Sequence, residues 1–268
     1  MKEKCVIFYN STKAKAVEIY TDLKNFLKEK NISLLPKEKI TEATFAIVIG
    51  GDGTLLRASK EIIKNESIPV IAINAGRLGF LTEIKEIEAR EICESYLKGD
   101  YKIYGRGLLD AKINNETYNI LNEIVITTGP LDKKLVSVDI FSDSGKINTY
   151  TGDGVIIATP TGSTGYSLSA GGPIVSYYLD AIIITPIAPH NLSTRPIVLS
   201  SEEVLYAKVN YNDVSNFLII DGDFIKKLNV NDKITISYSD KKLNLVLPKE
   251  RNYYSILKEK LKWGDNLC

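Results

Sequence analysis

The chain has 268 residues, 44% hydrophobic and 25% charged, an ordinary globular composition long enough for one large or two modest domains. A formal net charge of +1 gives no electrostatic basis for binding nucleic acid or a membrane surface. Cys5, Cys93 and Cys268 are an odd, scattered set without zinc spacing, no apolar stretch approaches the roughly 20 residues that span a bilayer, and the N-terminus lacks the features of a signal peptide, so a reduced, cytoplasmic location is expected.

The first hundred residues alternate. Residues 6–9 read as a strand. Residues 13–30 read as a helix, with Val17, Tyr20, Leu23 and Leu27 at helical spacing. Residues 45–49 form an apolar strand run, 55–64 a helix, 69–74 a strand, and 86–98 a helix with Ile87, Ile92 and Tyr96 as its apolar points. This alternation predicts a Rossmann-like parallel α/β domain over residues 1–99. Ligands in such sheets bind beyond the carboxyl ends of the strands. Residues 50–54 and 74–79 both sit at such ends and are expected to face one crevice.

The pattern changes near Gly99 and Asp100. From residue 102 to 248 helical periodicity nearly vanishes, and β-rich segments recur at 120–127, 135–141, 154–158, 181–185, 204–210, 217–220, 233–238 and 243–247. Turn residues separate them, including Asn114-Asn115, Ser144-Gly145 and Asp221-Gly222. An all-β sandwich domain over residues 100–249 is predicted. Residues 163–178 are rich in small residues and have room for a short helix. Residues 253–263 return to helical spacing, and the tail, 250–268, is expected to pack back on the first domain.

The densest signal is Gly50-Gly51-Asp52-Gly53-Thr54, between an apolar strand and a helix. Three glycines permit positive φ and a close approach of backbone to ligand. Their N–H groups and the following helix start form an anion site. A carboxylate at its centre repels phosphate unless it handles a proton or a metal, so the loop points to phosphoryl chemistry. An ordinary strand-to-helix turn also favours Gly and Asp, and the segment is neither a Walker A loop nor a dinucleotide fingerprint.

Asn122-Glu123 interrupts an apolar strand. It is either a strand edge or an amide and carboxylate that read adenine or ribose hydroxyls. Residues 159–173 are rich in Ser, Thr and Gly and follow an apolar run directly. They can present hydroxyls and N–H groups to a polar ligand, with Tyr166 as a flat face for a base. A flexible linker shares this composition but does not sit between two apolar strands. Asp153, in Gly152-Asp153-Gly154, reads equally as a plain turn. Asp221-Gly222 is a hairpin signal, which makes Asp221 and Asp223 turn residues. His190, the only histidine, has no evident triad partners, and Trp263 reads as packing.

In combination these segments resemble the NAD kinases, which phosphorylate the adenosine ribose 2′-hydroxyl of NAD to give NADP. The matching segments are Gly50–Thr54, residues 74–82, Asn122-Glu123, residues 159–173, residues 184–190 and Arg195-Pro196, so the resemblance covers most of the chain. It implies that Asp52 is the catalytic aspartate, accepting the proton of the 2′-hydroxyl or orienting it. Gly51, Gly53 and Thr54 then cradle donor phosphates, with Arg77 as a further source of donor-phosphate charge. Asn122 and Glu123 hold the ribose and adenine of NAD, Phe80 packs on the adenine side, and Thr161, Thr164, Gly165, Tyr166 and Ser169 line the NAD site. Asp153 matches an aspartate that reaches NAD across a subunit contact, which implies a homodimer or homotetramer.

The resemblance further implies ATP, arriving with Mg²⁺ or another divalent cation, as donor, with inorganic polyphosphate as an alternative. It places the active site between the two domains. Some relatives carry histidine where this chain has Asp223, so any phosphate or citrate contact there does not carry over. Two other readings compete. A diacylglycerol-type lipid kinase shares the Gly-Gly-Asp-Gly loop but leaves residues 159–173 unexplained. A non-catalytic nucleotide sensor predicts no role for the Asp52 carboxylate in turnover.

Overall fold

The computed structural model describes residues 3–65, 68–77, 79–129, 134–211 and 215–262. The chain divides into two compact units, Met1–Arg106 with Lys242–Cys268, and Gly107–Lys241. Trp263 and Cys268 lie outside the described residues.

In the first unit β1 (Lys4–Tyr9), α1 (Ala14–Glu29), β2 (Ser33–Leu35), β3 (Phe45–Gly50), α2 (Asp52–Ile62), β4 (Pro69–Asn74), β5 (Ile84–Lys85) and α3 (Ala89–Lys98) follow one another. The strands pair in parallel in the order β2-β1-β3-β4, in registers such as Val6↔Ala46 and Ile47↔Ile71. β3 is buried along its whole length, as a strand covered on both faces must be. α1 buries Ala16, Ile19, Leu23, Phe26 and Leu27 in a core shared with Phe45, Ile47 and Ile71. Val17, expected on that face, is 38% exposed because Ile19, Leu23 and Phe26 set the phase of the helix. Ile87 is 91% exposed. It sits in a 3₁₀ turn, Glu86–Glu88, ahead of α3 and not within that helix.

The C-terminal segment completes this unit. Asn244 and Leu245 pair in parallel with Pro69 and Val70 of β4. The last helix buries Tyr253, Ile256 and Leu257. Arg251 Nη2 donates to both carboxylate oxygens of Glu88, at 2.9 and 3.0 Å.

α3 ends at Gly99, whose φ of 76° is left-handed, where glycine carries no Cβ penalty. The chain then runs through β6 (Lys102–Ile113), β7 (Glu116–Ile120), β8 (Glu123–Thr128), β9 (Val136–Ser142), β10 (Gly145–Gly152), β11 (Gly154–Ala158), α4 (Tyr166–Ser169), β12 (Ala181–Ile187), β13 (Ile197–Ser200), β14 (Leu205–Val209), β15 (Asn216–Ile220), β16 (Asp223–Leu228), β17 (Ile234–Leu247) and α5 (Tyr253–Leu261). In the second unit the antiparallel ladders run β10-β9-β14-β17 and β13-β12-β11-β8-β15-β16. Val138, Ile140, Leu205 and Ile236 from the first share one core with Ile124, Ile126, Ile157, Ile182 and Leu218 from the second. This is a β-sandwich. Its strands alternate as half-buried strands do: β14 buries Leu205, Ala207 and Val209 and exposes Tyr206 and Lys208.

Three strand expectations change. Residues 102–113 and 145–152 form long strands whose interspersed polar residues hide them from an apolar count. Segments 233–238 and 243–247 are one strand, β17, because the ladder continues through Asp240, Lys241 and Lys242. The single strand expected over 120–127 is broken by a bend at Leu121 and Asn122.

Leu23 is fully buried in α1, so Leu23→Ala should lose about 2–5 kcal/mol of stability to lost transfer energy and the cavity left behind. The check is a lowered urea midpoint at an unchanged slope.

Candidate active site

β3 delivers the chain to Gly50, and Asp52 opens α2 with Gly51 as its N-cap at φ −102°. The expected positive-φ loop is therefore absent: Gly50, Gly51 and Gly53 all lie outside the left-handed region. Gly50 is needed for space instead, since a Cβ there would overlap the Thr54 side chain. Asp52 occupies the first helical turn, where the N-terminal dipole favours a carboxylate.

Both oxygens of Asp52 are held by the segment that follows β4. Oδ2 accepts the Phe80 N–H at 2.8 Å. Oδ1 accepts the N–H groups of Leu81 at 3.1 Å and Thr82 at 3.0 Å, and the Thr82 hydroxyl at 3.0 Å. A carboxylate oxygen has two lone pairs. Oδ1 is fully engaged, whereas Oδ2 has one donor and one lone pair left. Gly79 makes the approach possible, because a Cβ there would overlap Asp52 Oδ1. Asn74, at the end of β4, fixes the same segment. Its Nδ2 donates to Thr82 Oγ1 and to the Arg77 carbonyl, both at 2.8 Å, and its Oδ1 accepts the Gly76 N–H at 2.8 Å.

The other residues expected in this unit lie on the same two segments. Phe80 is half-buried, with Lys260 Nζ 5.6 Å from its ring centroid. Arg77 and Gly53 are exposed. Thr54 lines a cavity of about 360 Å³ with Asn10, Ser11, Lys37 and Arg57.

The second unit builds a different polar cluster, at the bend between β7 and β8. Asp221 and Gly222 turn the β15–β16 hairpin with φ of 48° and 82°, the two positive values a type I′ turn requires. The Asp221 side chain then accepts three backbone N–H groups: Leu121 at 2.9 Å, Asn122 at 2.7 Å and Glu123 at 3.1 Å. Residues 159–165 close over the bend. Thr159 donates its hydroxyl to the Leu121 carbonyl at 2.6 Å, and a Cβ at Gly162 would overlap the Asn122 carbonyl. Glu123 is 8% exposed, and its Oε2, like Asn122 Oδ1, is buried without a hydrogen-bond partner among the described residues. A Cβ at Gly165 would stand 2.9 Å from that Oε2. Polar atoms left bare and buried are costly unless a ligand completes them.

Burial, and next the neighbouring Asp221 charge, push the Glu123 carboxyl up to about 7, against the Tyr166 N–H, which favours the charged form. Tyr166 opens α4 and is 47% exposed, Ser169 is exposed and Thr164 half-buried, while Thr161 is buried. The expectation that the hydroxyls of this stretch face a ligand needs correction for three of them. Thr159, Ser163 and Ser167 are fully buried, and their hydroxyls bond to Leu121, Pro160 and Thr185. Asp153 is exposed at the other end of the ladder: its carbonyl accepts from Thr127 and Thr128, whereas Glu123 faces Ala158. Four residues of strand, about 13 Å, separate the two ends, so Asp153 does not join Glu123 within one chain. His190 is exposed and its N–H donates to the Thr151 carbonyl.

Sequence reasoning brings residues 74–82 to the crevice but gives Asn74, Gly79 and Thr82 no role there, and Asp221 escapes it as a member of the second cluster. Asp221 gives a turn signal and does form a turn, but nothing in the sequence reveals that its carboxylate reaches back to residues 121–123.

Comparison with known proteins settles the family. Residues 8–101 match the model of the ATP-NAD kinase N-terminal domain, and residues 121–247 that of the C-terminal domain. The chain belongs to the NAD kinase family. The NAD kinase of Fusobacterium nucleatum is 47% identical over 266 residues, 99% of each chain, and that of Geobacter sulfurreducens is 39% identical over 237 residues, 87% of this chain and 83% of the relative. A solved NAD kinase from Archaeoglobus fulgidus in complex with ATP superposes with a TM-score of 0.77 at 25% identity, covering 98% of this chain and 99% of its own. Yeast NADH kinase complexed with NADH shares the fold at a TM-score of 0.92 and 24% identity, covering 100% of this chain and 89% of its own.

Two predictions follow from the NAD kinase clusters. Gly79→Ala should displace Asp52 and lower kcat by about 10²-fold, with an unchanged circular dichroism spectrum. For Glu123, the folded-state pKa is raised, so the unfolded chain releases this proton first as pH rises. The folded state is penalised progressively between pH 4.5 and about 7 and by a constant amount above. Glu123→Gln should therefore stabilise the fold at pH 8, by up to about 3 kcal/mol, with the gain gone at pH 4. Thermal melts at both pH values read this out.

Proposed function

We propose that this chain, an NAD kinase, transfers the γ-phosphoryl group of ATP to the 2′-hydroxyl of the adenosine ribose of NAD, releasing NADP and ADP. The observation that carries the reading is the Asp52 carboxylate, locked by three backbone N–H groups with one Oδ2 lone pair left. A ribose hydroxyl is a poor nucleophile. A fixed carboxylate orients it and takes its proton as the oxygen attacks the γ-phosphorus and the bond to the ADP oxygen breaks. ATP is the substrate as its magnesium complex, and the Mg²⁺ it brings would supply charge neutralisation to the transferring group. The rest is positioning.

Gly51, Gly53 and Thr54 cradle the donor phosphates, and Arg77 adds charge to them. Asn122 and Glu123, each with a buried oxygen awaiting a partner, bind the adenosine. Phe80, Thr161, Thr164, Gly165, Tyr166 and Ser169 surround the dinucleotide. Asp153 acts from a second copy in a homodimer or homotetramer, because its own chain holds it a strand's length from Glu123. Inorganic polyphosphate serves as a second donor, and the enzyme works in the cytoplasm. No helix among the described residues is long and apolar enough to cross a membrane. The lipid-kinase alternative loses support because the C-terminal family model spans residues 121–247, including residues 159–173, the stretch that alternative leaves unexplained.

Asp52→Asn keeps the shape of the side chain and removes its basicity. Turnover measured with an NADP-specific dehydrogenase should fall about 10²–10⁴-fold, while NAD binding by calorimetry is retained. Wild-type kcat in this variant contradicts the assigned role, whereas NAD binding without turnover in the wild-type chain favours a nucleotide sensor. Asn122→Ala should raise KM for NAD by about tenfold, the worth of one or two hydrogen bonds, at near-constant kcat.

A further inference from the structure

Immediately beyond the segment that holds Asp52, the first unit buries a second carboxylate. Glu83 and Arg106 are each 1% exposed and bonded through Oε1 and Nη2 at 2.7 Å. Glu83 follows Thr82, which gives Asp52 both an N–H and a hydroxyl, and precedes Ile84, which pairs with Ile73 of β4. The Asp52 and Glu83 carboxylates repel, while Arg106 and Arg251 attract Glu83. Glu83 Oε2 has no hydrogen-bond partner among the described residues. A buried ion pair is an expensive way to fill a core, since apolar residues of similar volume often serve as well or better. Its retention beside a catalytic carboxylate calls for a different reason.

We infer that Arg106 is a positioning residue for catalysis, which through Glu83 holds the Phe80–Thr82 backbone donors on Asp52 and cancels the second negative charge of the segment. The inference rests on the NAD kinase reading. Without the Arg106 guanidinium, Glu83 loses its hydrogen-bonded counter-charge and keeps only the attraction of Arg251, so it moves toward water or takes up a proton, and either response drags the adjoining peptide units. Thr82 lies one residue away, so the first casualty is the set of bonds to Asp52 Oδ1, whereas Asn122, Glu123 and residues 51–54, assigned to NAD and ATP, lie on other segments of the chain. The reach is short and covalent, from Glu83 through its own backbone to Thr82.

The test separates this from simple core filling. Arg106→Gln keeps an amide donor for Glu83 but no charge. The double variant Glu83→Leu/Arg106→Met removes both charges at similar volume. Steady-state kinetics for both are compared with thermal melts, alongside the wild-type chain. The expected result is a kcat at least about tenfold lower in both variants with KM for NAD and ATP little changed, a split that marks lost transition-state stabilisation, and a melting temperature of the double variant at or above wild type. Wild-type kcat in Arg106→Gln overturns the inference, as does wild-type kcat in the double variant. If the double variant does not fold, Arg106→Gln alone decides in the same way. A wild-type chain that makes no NADP counts against the kinase reading itself, and is distinguishable from both variant outcomes.

Discussion

The bonding of the Asp52 carboxylate to three consecutive N–H groups, those of Phe80, Leu81 and Thr82, is the constraint on which the rest of the first unit depends. It joins the start of α2 to the segment beyond β4. It requires the absence of a side chain at Gly79 and at Gly50, and it uses the Asn74 amide and the Thr82 hydroxyl as struts. The parallel sheet contributes by setting β3 and β4 side by side, with Gly50 opposite Asn74. A carboxylate held this way has little to reorganise when a ligand reaches it, which is where preorganised sites gain most.

The second unit solves a related problem with the opposite result. Its backbone donors, at residues 121–123, are claimed by Asp221, a hairpin residue that forms no part of that strand. Glu123 is left beside that charge, buried and with an oxygen unpaired. One carboxylate is stabilised by the fold and the other is held at a cost by it. Strain of the second kind is expected where binding is to supply the missing partner, and it makes the bend at Leu121 and Asn122 more than an irregularity of the sheet.

Much of this was legible in the sequence because it was written in local pattern. The strands at 45–50 and 69–74, the helices of the first unit and the hairpin at Asp221-Gly222 follow from apolar runs, helical spacing and turn chemistry. Asp52 and Asn122-Glu123 stood out as polar residues in apolar or glycine-rich surroundings. What escaped was non-local. The bonds from residues 80–82 to Asp52 span about thirty positions and those from 121–123 to Asp221 about a hundred, and the Glu83–Arg106 pair joins two residues that look like ordinary surface charges. The glycines of residues 50–53 also misled: they suggested left-handed backbone, whereas Gly50 serves close packing. Strand β6 was missed because its charged and small residues break the alternation that a half-buried strand normally shows.

The most direct test of the account is a crystal structure of the chain with NAD bound, read for a single distance, from the Asp52 oxygens to the ribose 2′-oxygen. The account predicts that the hydroxyl lies about 2.6–3.2 Å from Oδ2, on its remaining lone pair, with the Phe80, Leu81 and Thr82 bonds intact. A 2′-oxygen seated on Oδ1, or out of hydrogen-bond reach of Asp52 altogether, would contradict it.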